Sequence, residues 1–267
     1  MNKRAFLVGI NYLGTENQLG GCINDVFDMK EILIKHYKYE EDNILIMTDL
    51  TEYKPTKENI IKGFKWLLSK NNKDEFEKKY DIFSPEENVV YFFQFSGHGS
   101  RVYDKNNDEK DHMDETIYTL DGKMIEDDEM RINLVNNINE NCKLYSVIDA
   151  CHSGTDFDLC NTTFIKHGMI KKYCHTDYYD YSETQGNVIL ISGCKDNQTS
   201  ADVTVDHKKQ GALTYSLIEI LKENDYNINY NDLMLKMDEL IRTKKLSSQS
   251  PCISFGKKCQ LEEKFEF

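Results

Sequence analysis

Short, almost uninterrupted apolar runs alternate along this chain with segments in which apolar residues return every three or four positions. The run RAFLVGI over 4–10 reads as a buried strand. A glycine-punctuated loop follows, and then a helix over 23–36 in which Val26, Met29, Ile32 and Leu33 share a face. Further strands are predicted at 43–48 (NILIMT), 88–95 (NVVYFFQF), 143–149 (KLYSVID) and 187–192 (NVILIS). Helices are predicted at 57–70, from near Asp128, and at 211–222 and 231–244. Strands this apolar, separated by helices, predict an α/β architecture whose central sheet is mostly parallel and covered on both faces. Ligands of such sheets sit beyond the carboxyl ends of the strands. Two of those ends carry unusual chemistry: Ser96-Gly97-His98-Gly99 and Asp149-Ala150-Cys151-His152-Ser153-Gly154.

The polar stretch over 160–186 has no clear period and reads as a long connecting loop. Too few residues follow it to build a separate core, so the expectation is a single domain over 1–267. It comprises a first half to residue 160, a connection over 161–186 and a second half over 187–267.

Composition narrows the function. With 267 residues, 39% of them hydrophobic, 3 Pro and 14 Gly, the chain is globular and not low in complexity. Its 33 basic and 46 acidic residues give a net charge of −13, which opposes nucleic acid as a partner and suits cationic ones. No apolar stretch is long enough for a membrane span or a secretory signal, so no membrane partner is expected. The 8 cysteines contain no Cys-x-x-Cys pair and read as thiols in a reducing, cytoplasmic or nuclear compartment.

A free thiol is only a few per cent ionised at neutral pH, so a nucleophilic cysteine needs a base beside it. Cys151 and His98 are far apart in sequence, yet each follows a predicted strand end, and adjacent parallel strands bring such ends together. Glycines flanking His98 permit close backbone approach and leave amides free to face a developing oxyanion. His152 is the competing base, but its place next to Cys151 on an extended segment points its ring away.

Taken in order, these segments are similar to the metacaspases, of the caspase-like cysteine peptidase group. The resemblance runs from Val8-Gly9-Ile10-Asn11-Tyr12 and Leu19-Gly20-Gly21-Cys22-Ile23-Asn24-Asp25 through Phe95-Ser96-Gly97-His98-Gly99 and Met113-Asp114-Glu115. It continues through Ile125-Glu126-Asp127-Asp128-Glu129, the Cys151 segment with Asp158-Leu159, residues 191–200 and Gly211-Ala212-Leu213-Thr214-Tyr215. It covers nearly the whole chain and is to a minimal, type I-like form without a prodomain.

The resemblance implies a caspase-like α/β/α sandwich in which Cys151 attacks the scissile carbonyl. His98 would then move the proton, and the amides of Gly99 and Cys151 would hold the oxyanion. It implies an acidic specificity pocket built from Cys22, Asp25, Ser96 and Asp149, hence protein or peptide substrates cut after Arg or Lys. Asp149, two residues before the nucleophile, repels an aspartate side chain and attracts a guanidinium or ammonium group. Asp114, Asp127, Asp128 and Asp158 match the positions that bind calcium in calcium-dependent metacaspases, where the ion activates without taking part in bond breaking. The resemblance leans toward a monomer.

Asp104, Asn106, Asp108 and Glu115 fall at EF-hand positions, but Glu109 stands where the loop needs glycine, and the match reads as accidental. Lys166, Lys171 and Lys172 lie in the expected loop, where an Arg/Lys-directed peptidase would cut itself. The sequence also fits two rival readings. One is a catalytically silent calcium-binding or scaffolding homologue that engages basic partners. The other is an arginine- or asparagine-directed relative from the same broad clan.

Overall fold

Strand formation begins where the sequence is most apolar. The computed structural model describes residues 2–70, 76, 88–103, 113–151, 157–174, 183–194, 202–205, 208–246, 250–258 and 261–267. In chain order the first elements are β1 (Asn2–Gly9), α1 (Cys22–Lys35), β2 (Ile44–Thr48), α2 (Lys57–Leu68) and β3 (Val89–Ser96). Three short strands follow, β4 (Gly99–Tyr103), β5 (Met113–Tyr118) and β6 (Met124–Glu126), and pair into a small sheet of their own. Then come α3 (Asp127–Asn133), β7 (Lys143–Asp149), β8 (Asn161–Lys166), β9 (Met169–Cys174) and β10 (Asn187–Cys194). The chain closes with the hairpin β11 (Asp202–Val205) and β12 (Lys208–Gly211), α4 (Ala212–Glu223), α5 (Tyr230–Thr243) and β13 (Ser250–Phe255).

Eight strands form the main sheet in the order β2-β1-β3-β7-β10-β13-β8-β9. Pairing is parallel from β2 to β10 and antiparallel from β10 to β9. Side chains alternate across it. Ala5, Leu7, Val90, Phe92, Tyr145 and Val147 face one core with residues of α1, α4 and α5. Phe6, Val8, Phe93, Phe95, Leu144 and Ile148 face a second with residues of α2 and α3. The result is an α/β/α sandwich of the caspase-like class.

This alternation places the chemistry. Ser96 shares the face of Val90 and Phe92, and Asp149 that of Tyr145 and Val147, so both look toward α1 and α4. From β1 the chain crosses to β2 on one side and then returns to β3 on the other, so the strand order reverses between β1 and β3, the kind of place where such sheets bind ligands.

One expectation is corrected. The stretch read as a connecting loop over 161–186 contains β8 and β9, an antiparallel hairpin that extends the main sheet to its edge. Lys166 ends β8, while Lys171 and Lys172 are strand residues of β9. β9 is exposed along most of its length, so its period carries no apolar alternation to read. Lysines on such an edge also discourage pairing with another chain. Among the described residues no helix is long and apolar enough to cross a membrane.

Candidate active site

Parallel pairing of β3 with β7 puts Ser96 opposite Asp149. His98 and Cys151 therefore stand at equivalent places beyond two paired strand ends. The chain crosses itself closely there: a Cβ added to Gly99 would lie 1.9 Å from the Cys151 carbonyl oxygen and 3.2 Å from its amide nitrogen. Tyr118 N–H donates to the His98 carbonyl, so Gly99 and Ile117 form a pair without ladder hydrogen bonds. The Gly99 N–H accordingly points away from β5. Cys151 is buried, and His98 is half-buried at the rim.

Besides the Tyr118 bond to its carbonyl, three contacts fix His98. Its backbone N–H donates to the Tyr12 hydroxyl at 3.0 Å, the Tyr12 hydroxyl donates to the Tyr118 carbonyl at 2.6 Å, and the two rings pack with centroids 4.7 Å apart. Its Nε2 meets the Asn17 carbonyl at 2.7 Å. A carbonyl only accepts, so Nε2 carries the proton, and Nδ1 is the nitrogen left to act as base. Asp49 steadies the loop that brings Asn17 there by accepting from the amides of Asn11 (2.7 Å) and Leu13 (2.9 Å).

On the α1 side of the sheet two carboxylates converge. Asp25, fully buried in the first turn of α1, accepts from the Gly211 amide at 2.9 and 3.1 Å. Asp149 accepts from the Thr214 amide at 2.8 Å. A Cβ on Gly211 would lie 2.2 Å from Asp149 Oδ2 and 2.8 Å from Asp25 Oδ2, so only a glycine fits between them. Burial, and then the neighbouring Asp149 charge, push the Asp25 carboxyl well above the usual carboxylate range. The Gly211 amide and the nearby Ser96 hydroxyl oppose that rise, and the charge of Asp28 adds to it. Cys22 opens α1 against β1, its carbonyl 2.4 Å from where a Gly9 Cβ would sit.

The second acidic group gathers around the start of α3. Asp127 accepts from the amides of Glu115 and Asp128, each at 2.8 Å, and Arg131 donates to the carbonyls of Phe157 (3.0 Å) and Asp158 (2.5 Å). Asp114, Asp127 and Asp158 are buried, and Asp158 holds a left-handed φ of 47°. Glu115 pairs with Arg101 at 2.8 Å. The donors are all carboxylate oxygens and suit a hard cation such as calcium. Among the described residues, however, no group of three or more His, Cys, Asp or Glu side chains is placed to hold a metal ion.

His152 and the EF-hand-like residues Asp104, Asn106 and Asp108 lie outside the described residues. Reading residue types missed the partners contributed by main chain, namely the Asn17 carbonyl and the amides of Gly211 and Thr214. Tyr12, Gly211 and Thr214 do fall within segments already singled out. Gly99→Ala is expected to cut peptide hydrolysis by about a hundredfold or more, since the new methyl must displace Cys151 backbone. Steady-state kinetics beside the thermal midpoint checks this, with activity lost well beyond any loss of fold.

An α/β/α sandwich with a histidine and a cysteine at adjoining strand ends is the layout of a caspase-like peptidase. Residues 3–160 match the family description "Metacaspase, peptidase C14 domain". Metacaspase-1 of Schizosaccharomyces pombe is 33% identical over 94% of this chain and 67% of its own length. Metacaspase-1 of Arabidopsis thaliana is 35% identical over 90% of this chain and 65% of its own, and metacaspase-1B of Neurospora crassa 33% over 83% and 59%. The chain belongs to the metacaspase family. It spans roughly two thirds or less of the length of these relatives. The crystal structure of a Geobacter sulfurreducens protein shares the fold, with a TM-score of 0.62 and 22% identity over 96% of this chain and 93% of that one.

Proposed function

We propose that this protein is a cysteine endopeptidase that cuts after Arg or Lys and is activated by calcium. The observation that supports the reading is the Ser96–Asp149 register, two residues beyond which His98 and Cys151 follow the paired strands, with Asp149 itself among the acidic residues.

Cys151 Sγ passes its proton to His98 Nδ1 and attacks the scissile carbonyl carbon, while the N–H groups of Gly99 and Cys151 receive the oxyanion. Collapse of the intermediate breaks the C–N bond, and the imidazolium returns the proton to the leaving amine. A thioester remains. His98 then takes a proton from water, whose oxygen attacks the thioester and releases the acid and the thiol. Asn17 holds the ring in the required tautomer throughout.

A cationic side chain that reaches Asp25 and Asp149 from the side not taken by Gly211 offsets their repulsion and gives charge-assisted hydrogen bonds; an aspartate would add a third negative charge to a buried site. Calcium, held by Asp114, Asp127, Asp128 and Asp158, would screen their mutual repulsion and act as an activator without taking part in bond breaking. Self-cleavage at Lys171 or Lys172 would require β9 to peel from the sheet edge, where its exposure makes opening easiest.

The test uses fluorogenic peptides ending in Arg, Lys or Asp, with calcium or with a chelator. Cleavage of the Arg and Lys peptides, rising on calcium addition and made calcium-insensitive by Asp158→Asn, is the expected result. No cleavage of any peptide under any condition would favour the silent scaffold.

A further inference from the structure

Three side chains of α1 grip the strand that leads into the pocket. Asn24 Nδ2 donates to the Lys209 carbonyl at 2.8 Å, and Asp25 accepts from Gly211 N–H. Asp28 Oδ2 accepts from Gln210 Nε2 at 2.7 Å, while Asp28 Oδ1 pairs with Lys208 Nζ. Positions 24 and 28 lie one turn apart on the helix, and the contacts alternate along β12: Lys208 and Gln210 meet Asp28, while Lys209 and Gly211 meet Asn24 and Asp25. Among the described residues β11 and β12 pair apart from the main sheet, and Val203 packs with Ala212 and Tyr215 of α4 in a small apolar cluster. Beyond β12 the chain enters α4, whose Thr214 amide caps Asp149. The placement of β12 thus sets hydrogen bonds to both carboxylates.

We infer that Asp28 is a positioning residue for substrate specificity: through Gln210 it holds β12 so that the Gly211 amide stays on Asp25 and the pocket stays open to a cationic side chain. The inference rests on Asp25 and Asp149 forming that pocket. Gln210 is buried, so its bond to Asp28 is shielded, whereas Lys208 is 43% exposed and its ion pair contributes little. Once the Asp28–Gln210 bond is gone, β12 drifts and the Gly211 amide no longer holds the Asp25 carboxylate in place. The cation then binds more weakly, while the chemistry at Cys151 is unchanged.

The experiment uses the full chain and an Arg-ending fluorogenic peptide. Asp28→Ala is expected to raise KM about tenfold with kcat held within about twofold, the signature of lost binding and not of lost chemistry. Asp28→Asn keeps an oxygen that accepts from Gln210 and stays near the parent. Gln210→Ala reproduces Asp28→Ala, and the double variant is no worse than either single one. Alkylation of Cys151 by iodoacetamide, which needs no cationic side chain, keeps its rate in all of them. An unchanged KM in Asp28→Ala overturns the inference, as does a joint fall of kcat, alkylation rate and thermal midpoint, which would mark a purely structural role. Asp25→Asn is the control for the pocket: if it leaves Arg cleavage intact, the pocket reading fails and the clamp's role fails with it.

Discussion

Cys151→Ala is expected to lower kcat/KM for Arg peptides by at least about 10⁴-fold, and His98→Ala by a comparable factor. The two residues act as a unit: without the thiol no thioester forms, and without the imidazole the thiol is left largely protonated. The double variant should therefore be little worse than either single one. Neither change should alter the fold greatly. Cys151 lies at a strand end, and the His98 backbone stays tied through its amide and carbonyl to Tyr12 and Tyr118. Fluorogenic hydrolysis read beside the melting curve checks both halves of the expectation, and substantial residual cleavage in Cys151→Ala would remove that residue from the mechanism.

Asp25→Asn should move activity and stability in opposite directions. Removing one carboxylate of a buried ion-binding pair costs about 3–5 kcal/mol, which is roughly a hundredfold to a few thousandfold in kcat/KM for Arg peptides. The same change relieves the folded protein. Asp25 has a carboxyl raised by burial and by Asp149, so the native state holds its proton more tightly than the unfolded chain does. As pH climbs from the ordinary carboxylate range through that raised value, the native state must ionise at a cost, and stability falls. An amide has no proton to lose, its oxygen still accepts from Gly211, and its nitrogen can donate toward Asp149. The Asp25→Asn protein should thus melt a few degrees above the parent near neutral pH, with the advantage vanishing in acid. Differential scanning calorimetry across pH tests this, and a variant stabilised equally at all pH values would show that the buried charge is not the cause.

Much of this layout can be read from residue types. The helix expected at 23–36 forms at Cys22–Lys35, and the strand expected at 4–10 forms at Asn2–Gly9, because long apolar runs and a four-residue face are strong signals. β13 escaped notice for a physical reason: Pro251 weakens any strand assignment, and it is tolerated here because β8 pairs with β13 only from Cys252 onward. The short strands β4 to β6 are half polar and rely on one another for pairing, which leaves no local pattern. Within the candidate site, His98, Cys151, Asp25 and Asp149 stand out by their chemistry. The Asn17 carbonyl and the Gly211 and Thr214 amides do not, since every residue type offers main-chain groups and only the folded path shows which are used.

The strand order also determines what a cut chain would do. β10 and β13 come from the last third of the sequence, yet they lie between β7 and β8, which come from earlier. Scission anywhere between β9 and β10 would yield two polypeptides interleaved like fingers of clasped hands, each supplying the neighbours that the other's strands require. Such a cleaved molecule would migrate as one particle in native buffer and fall into two bands only in detergent, so proteolytic maturation of this architecture need not release either piece.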